Sequence, residues 1–302
     1  MPRCYADRDG LRFHYESDEF SYDDFNRAGK LKIWTSLRVL YVIGRWQKQK
    51  YAKIFYKANG KTVPVAKYYH TTLYPSYYSQ VGINFPCRIT TWISHVNQSG
   101  YWVDTNFFNR NTGKLLQSSV IYVMVIDGKT RKPVKRGGQK QDVNELIPAS
   151  LRRTEFPICI PEEQRPTTAQ SYVYTTHVSP SDMDHHHHMG NDGFMKHCLD
   201  AASAASADKK LSSFHAAISF YNVKDFAAVY TGEALAGDIM NIECWQAKSD
   251  VLLFEVKINS SVVCRCRTSF HSTTPSNYEN QILLDLDRKR SSMKSKHLKS
   301  KL

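Results

Sequence analysis

The sequence predicts an α+β protein made of two similar halves, each a helix accompanied by several antiparallel strands. Three observations predict it. A strand-like stretch, an acidic loop and a helix-like stretch follow one another twice, at an offset of 160 residues. After each helix the apolar pattern changes from a 3.6-residue to a two-residue period. Between the halves, residues 128–169 carry Gly, Pro and charge (GKTRKPVKRGGQKQ, then IPEEQRPTTA), the composition of a linker.

The first half, 1–127, opens with a strand over 11–21, followed by a loop holding Asp24 and Asn26. Apolar residues at 31, 33, 34, 37, 40, 41 and 43 outline a helix over 31–45 with one buried stripe. Residues 46–80, rich in Tyr and Lys, read as an insertion. Stretches 87–96, 100–109 and 115–126 alternate like half-buried strands, and Asn111-Thr112-Gly113 supplies the turn between the last two.

The second half, 170–275, opens with a strand over 171–178. The loop Ser181-Asp182-Met183-Asp184-His185-His186-His187-His188-Met189-Gly190 follows, then a helix over 191–207. Asn191 or Asp192 is the expected cap, and Ala201, Ala202, Ala204 and Ala205 favour a helix that can lie close to a sheet. Strands are expected over 214–220, 225–232, 237–247, 251–258 and 262–271. By this offset Asp24 pairs with Asp184, Asn26 with His186, and Ala28 with His188.

Composition limits what such a fold can do. A hydrophobic content of 41% with 12% aromatics suffices for a packed core. Forty-one Lys and Arg against 28 Asp and Glu give +13, which favours anionic partners. The basic residues are dispersed and no nucleic-acid module is recognisable, so nucleic acid is not the expected partner. No apolar run reaches the roughly 18 residues that would span a bilayer, and the first residues lack the apolar core of a secretory signal. A soluble, intracellular chain is expected. The seven cysteines, at 4, 87, 159, 198, 244, 264 and 266, are odd in number and scattered, the pattern of free thiols in a reducing compartment. Cys198 reads as a buried structural thiol.

The basic tail, 276–302, ends in Ser300-Lys301-Leu302, the address read by the peroxisomal import receptor. Four adjacent histidines invite a metal, yet neighbouring imidazoles rarely converge on one ion and no Cys or helical HxxxH supplements them. No metal is expected.

The second loop, Asp182-Met-Asp184-His-His186-His-His188-Met-Gly190-Asn191 followed by Phe194, resembles the strand-to-helix loop of the hotdog-fold acyl thioesterases. That loop has the form Asp-x-Asp-x-Asn-x-His-x-Asn-Asn followed by an aromatic. Tyr230-Thr-Gly-Glu233 resembles the family's Tyr-x-x-Glu segment. His186 stands where the family has Asn, and Gly190 replaces the first of the two later asparagines. The first half keeps Asp24 and Asn26 but has Ala28 where the histidine should be.

This resemblance, over about 11–127 and 170–271, implies a tandem (double) hotdog fold, each half a long helix wrapped by a curved antiparallel sheet. It implies Asp184, His188 and Glu233 as catalytic residues, with His186, Gly190, Asn191, Asp24 and Asn26 in support. The activity implied is hydrolysis of acyl-CoA thioesters. Coenzyme A then enters as part of the substrate rather than as a cofactor, and cations in 45–67 or 129–140 could meet its phosphates. Asp184 or Glu233 would activate water or attack the carbonyl, His188 would donate or relay a proton, and helix-start amides at 190–192 would steady the oxyanion. Two other readings stay open. A double-hotdog enoyl-CoA hydratase has its usual histidine five residues after an aspartate, met by Asp182 and His187, with a proline between them and an aspartate two beyond. Here the proline is missing and Met189 replaces the later acid. The other is a non-catalytic acyl-CoA binding protein. Whether two chains pair through their sheets as a homodimer is also open.

Overall fold

The structure is a computed structural model and describes residues 2–35, 37, 39, 62–134, 143–156, 170–184 and 187–274. Its frame is an eleven-stranded sheet in which every neighbouring pair is antiparallel. The strands are β1 Arg3–Ala6, β2 Arg12–Ser17, β3 Thr62–Leu73, β4 Cys87–Val96, β5 Gly100–Asn109, β6 Leu115–Asp127, β7 Tyr172–His177, β8 Val223–Tyr230, β9 Ile239–Lys248, β10 Val251–Ile258 and β11 Ser261–Phe270.

Across the sheet they run β1-β2-β4-β5-β6-β3-β8-β11-β10-β9-β7. Each half therefore places five strands in the same order: first, third, fourth, fifth, second. The two second strands, β3 and β8, meet in the middle, and β1 is an additional edge strand of the first half. The repeated order in the sequence is thus a repeated topology in space.

The join is held by side chains as well as by the ladder. Thr72 lies opposite Asp225 and donates its hydroxyl to Oδ1 at 2.7 Å, while Ser269 donates to Oδ2 at 3.1 Å. His70 Nε2 lies 3.6 Å from the same carboxylate. Burial alone would raise the Asp225 carboxyl, but hydrogen bonds from His70 and Thr72 outweigh it and hold it down to about 2. The Tyr78 hydroxyl donates to the Val223 carbonyl at 2.8 Å, and His271 donates to that of Leu73 at 2.8 Å.

Two α-helices lie wholly within the described residues, α1 Pro75–Gln80 and α2 Asn191–Ala207. Helix α2 buries Phe194, Met195, Cys198, Ala201, Ala202 and Ala205, a stripe at three- and four-residue spacing, against β7, β9, β10 and β11. The alanines let the helix sit close to the sheet. An Ala201→Leu change would overpack this contact at a cost of about 1–3 kcal/mol. Cys198 is fully buried there, and burial raises its thiol well above the ordinary range, as for a structural cysteine.

Several expectations need correction. Residues 62–73, read as part of an insertion, form β3, the counterpart of β8 and the strand through which the halves join. Residues 46–61 lie outside the described residues. The first strand stops at Ser17, because Ser21 instead caps a 3-10 turn, Tyr22–Asp24. Of the helix expected over 31–45, only Thr35, Leu37 and Val39 are described as helical; residues 41–45 lie outside the described residues. Residues 214–220 alternate with Phe214, Ala216, Ile218 and Phe220 all buried, yet they form no strand. Their backbone finds other partners: the Ser206 hydroxyl donates to the carbonyls of Phe214 and Ala216, and the Tyr221 hydroxyl accepts from the amides of His215 and Ala216.

Part of the linker is ordered on the outer face of the first half. Leu151 accepts from the Trp92 indole, Asn144 bonds to both backbone groups of Val96, and Arg153 pairs with Asp104. Among the described residues no helix is long and apolar enough to cross a membrane.

Candidate active site

The two strand-to-helix loops have one backbone design. Each begins with a Ser-Asp capping box on a 3-10 turn, Ser21 with Asp24 and Ser179 with Asp182. Each then closes through an isolated bridge, Phe25 to Leu31 and Met183 to Met189. In the first, the Asn26 amide donates to the Lys30 carbonyl at 2.8 Å; in the second, the Asp184 amide donates to the His188 carbonyl at 2.8 Å. Gly29 (φ +71°) and His187 (φ +61°) occupy the same left-handed position, where glycine is free and histidine is strained.

These matches set the offset at 158 rather than 160. Asp24 therefore pairs with Asp182, Asn26 with Asp184, and Lys30 with His188. The sequence pairing of Asp24 with Asp184 and Ala28 with His188 is two residues out of step, because it followed residue identities instead of the capping box that starts the turn.

In the second loop Asp182 is the anchor. Lys196 lies 3.3 Å from Oδ1, His197 Nε2 lies 3.5 Å from Oδ2, and the Ser179 amide donates to Oδ2 at 3.0 Å. Burial pushes this carboxyl up, but the Ser179 amide and Lys196 outweigh it and leave it below the usual range. Asp184 stands at the mouth of the turn, and its Oδ1 lies 3.4 Å from the His188 amide. His188 and Glu233 come together: Nε2 is 3.3 Å from Oε2, with about a third of each side chain exposed.

Glu233 reaches His188 because β8 leaves the sheet just before it. The amides of Thr231 and Gly232 both donate to the Val263 carbonyl, and a Cβ at Gly232 would lie 2.7 Å from the Val263 side chain. The next residue, Ala234, accepts from the Met189 amide at 2.9 Å, lacing the Glu233 segment to the loop. Phe194 and Tyr230, the aromatics of the two motifs, pack with ring centroids 5.6 Å apart. A second partner of Glu233 comes from the turn after β6, which the expected linker range included but which bridges back onto the first half's sheet: Arg131 contacts Oε1.

The other residues singled out in the sequence divide by place. Gly190, not Asn191 or Asp192, occupies the cap position of α2, with Asn191 as its first helical residue. The Gly190 amide lies 3.4 Å from the Asp182 carbonyl, so that helix-start donor has a partner within the loop. His186 lies outside the described residues, as do residues 135–142 and nearly all the cations of the 45–67 segment. Asn26 supports structure: its Oδ1 accepts from the amides of Ala28 and Lys30, and its Nδ2 donates to the Ser219 carbonyl in the other half. Among the described residues no cluster of three or more His, Cys, Asp and Glu side chains is arranged to hold a metal.

A cleft of about 980 Å³ lies between the two loops. Asp184, Asn26 and Gly190 line it, together with Trp34, Tyr78 and Leu199, whereas His188 and Glu233 are not among its lining residues. Asp184 thus lines the cleft while its carboxylate reaches back to the His188 amide. Chemically, a carboxylate facing Nε2 holds the ring proton there and leaves Nδ1 as an acceptor, while a second carboxylate at the cleft can take a proton from water. Arg131 was not foreseen. It is remote in sequence from Glu233, and the sequence singled it out only as one of the cations of 129–140 that could meet phosphates.

No protein-family model and no curated protein sequence matches the chain. Solved structures do. An acyl-ACP thioesterase from Bacteroides thetaiotaomicron aligns at 17% identity over 86% of this chain and 98% of its own, with a TM-score of 0.63. A candidate oleoyl thioesterase from Lactobacillus plantarum aligns at 12% identity over 87% and 96%, with a TM-score of 0.64. A 12:0-ACP thioesterase from Umbellularia californica aligns at 15% identity over 88% and 98%, with a TM-score of 0.59. At these identities the likeness is one of fold, and the fold is the hotdog type: a large antiparallel sheet with few helices.

Proposed function

We propose that this chain is a tandem double hotdog acyl thioesterase, with its working site in the second half, and that it hydrolyses acyl-CoA to free acid and coenzyme A. The strand order repeated in the two halves supports the tandem reading. Fold alone does not assign chemistry. The observation that carries the functional reading is the meeting of His188 with Glu233 at 3.3 Å, beside the turn that presents Asp184 to the cleft.

In this reading the acyl thioester lies in the inter-loop cleft. Asp184 takes a proton from water as its oxygen bonds to the carbonyl carbon, and the tetrahedral oxyanion collapses with cleavage of the C–S bond. The departing thiolate receives the proton held by Asp184. Glu233 holds the His188 proton on Nε2, and the free Nδ1 accepts a hydrogen bond from the attacking water, orienting it for Asp184. None of these steps uses a metal. The tripeptide Ser300-Lys301-Leu302 supports delivery to the peroxisome, and a chain lacking these three residues should stay in the cytosol when imaged in cells.

The test is the purified full chain with a panel of acyl-CoAs and acyl-carrier-protein thioesters, a thiol reagent reporting release of the carrier thiol. Release that persists after chelator treatment supports the reading. Hydration of enoyl-CoA without thiol release would favour the hydratase, and ligand binding with neither reaction would favour a binding protein.

A further inference from the structure

Glu233 divides its two carboxylate oxygens between residues of different halves. Oε2 faces His188 Nε2 at 3.3 Å, and Oε1 is contacted by Arg131 Nη2. We propose that Arg131 is a positioning residue for the second-half site, clamping Oε1 so that Oε2 stays aimed at His188, and that the site is complete only when the first half supplies this clamp. The inference rests on the reading of the second-half loop as the thioester-hydrolysing site.

The turn that carries Arg131 is firmly built. Asp127 Oδ1 accepts from the amides of Lys129 at 3.0 Å and Thr130 at 2.6 Å. The Arg131 amide donates to the Asp127 carbonyl at 2.9 Å, the Asp127 amide donates to that of Lys132 at 2.9 Å, and Ile126 bridges to Pro133. Within this turn Arg131 adopts φ +58°, a left-handed conformation that costs an L residue with a Cβ energy and persists only where the surroundings impose it. Glycine would relieve that strain but would carry no guanidinium to Glu233.

A second cation, Lys67, lies near enough to Arg131 to feel its charge. Lys67 is the extra residue where the β3–β6 register shifts between Ala66 and Tyr68, a bulge of the kind that re-aims a side chain. Burial lowers its amine first, and the charge of Arg131 lowers it further, so the two cations lie close. Their like charge favours an anionic partner for Arg131, and Glu233 supplies it. A planar guanidinium can fix a carboxylate in direction, whereas an uncompensated Glu233, with about a third of its side chain exposed, would swing toward water and release the His188 ring.

The test compares the full chain with Arg131→Ala and Arg131→Lys by two independent readouts. With histidine ring nitrogens labelled, and the His188 signals identified by their absence from His188→Gln, the wild-type ring should show its proton held on Nε2. Arg131→Ala should show the ring exchanging between tautomers, and Arg131→Lys should restore much of the wild-type signature. Thioester turnover should fall roughly 10- to 100-fold in Arg131→Ala with KM within about twofold. Should Arg131→Ala lack a cooperative thermal transition, Arg131→Gln, which keeps most of the side-chain length, carries the same predictions. A wild-type ring signature in the charge-deleted variant overturns the proposal. If the wild-type chain hydrolyses no thioester at all, the functional reading fails, while the ring signature still decides the role of Arg131.

Discussion

The loops at 21–33 and 179–191 share a capping box, a closing bridge and a left-handed residue in the same places, yet their chemistry differs completely. Where the second loop has Asp184 and His188, the first has Asn26 and Lys30. The Lys30 amine donates to the Phe220 carbonyl at 2.9 Å and lies 5.8 Å from the centre of the Tyr78 ring. Asn26 likewise spends its side chain on the turn and on Ser219. One loop uses its polar side chains to hold the two halves together; the other holds them toward Glu233 and the cleft. The backbone of such a loop is therefore a scaffold that does not itself require catalysis.

The largest expected break in that comparison is functional. His188→Ala should lower thioester turnover on the order of 100-fold or more, whereas Lys30→Ala should leave turnover within about threefold and lower the melting temperature instead. Steady-state kinetics and thermal unfolding of the same two proteins check this. Comparable losses of turnover in both would mean that the first loop works chemically too.

A smaller difference concerns the two capping acids. Asp24→Ala should cost about 1 kcal/mol, the usual value of a lost cap. Asp182→Ala should cost about 2 kcal/mol, because it also strands Lys196 and His197. Denaturant unfolding of the two variants measures the gap, and equal costs would show that the Asp182 contacts are idle.

Acid should act on the join that lets the loops face each other. The Asp225 carboxyl sits at about 2, below its ordinary 3.8, so the stability it contributes is complete above pH 4. As pH falls from about 4 to about 2 that contribution, roughly 1–2 kcal/mol, is lost. Asp225→Asn should be less stable at neutral pH and should lack this part of the acid dependence, as unfolding curves across that range would show.

How much of this was legible in the sequence follows from what each segment buries. Strands β4, β5 and β10 and helix α2 match their expected spans, because one face of each is apolar and their periods are clear. Strand β3 was hidden: although Asn59-Gly60 and Pro75 flank it in the sequence, it contains Pro64 and its alternation is interrupted by Lys67 on a bulge. The 214–220 stretch misled for the opposite reason, its alternation being real while hydroxyls of Ser206 and Tyr221 took the place of a partner strand. At the site, the spacing of Asp184 and His188 and the Tyr230–Glu233 segment were readable. The two-residue shift between loops was not, because it is fixed by hydrogen bonds at Ser21 and Ser179. Arg131 was invisible, because only the folded chain brings it to Glu233.

The most direct test of the central claim is carrier-thiol release from acyl-CoA by the wild-type chain, by Asp184→Asn and by Asn26→Asp, measured side by side. Wild type should release thiol, Asp184→Asn should lose turnover on the order of 100- to 1000-fold with its fold intact, and Asn26→Asp should keep it. Undiminished release by Asp184→Asn, or an equal loss in the first-half variant, would contradict the assignment of chemistry to the second loop.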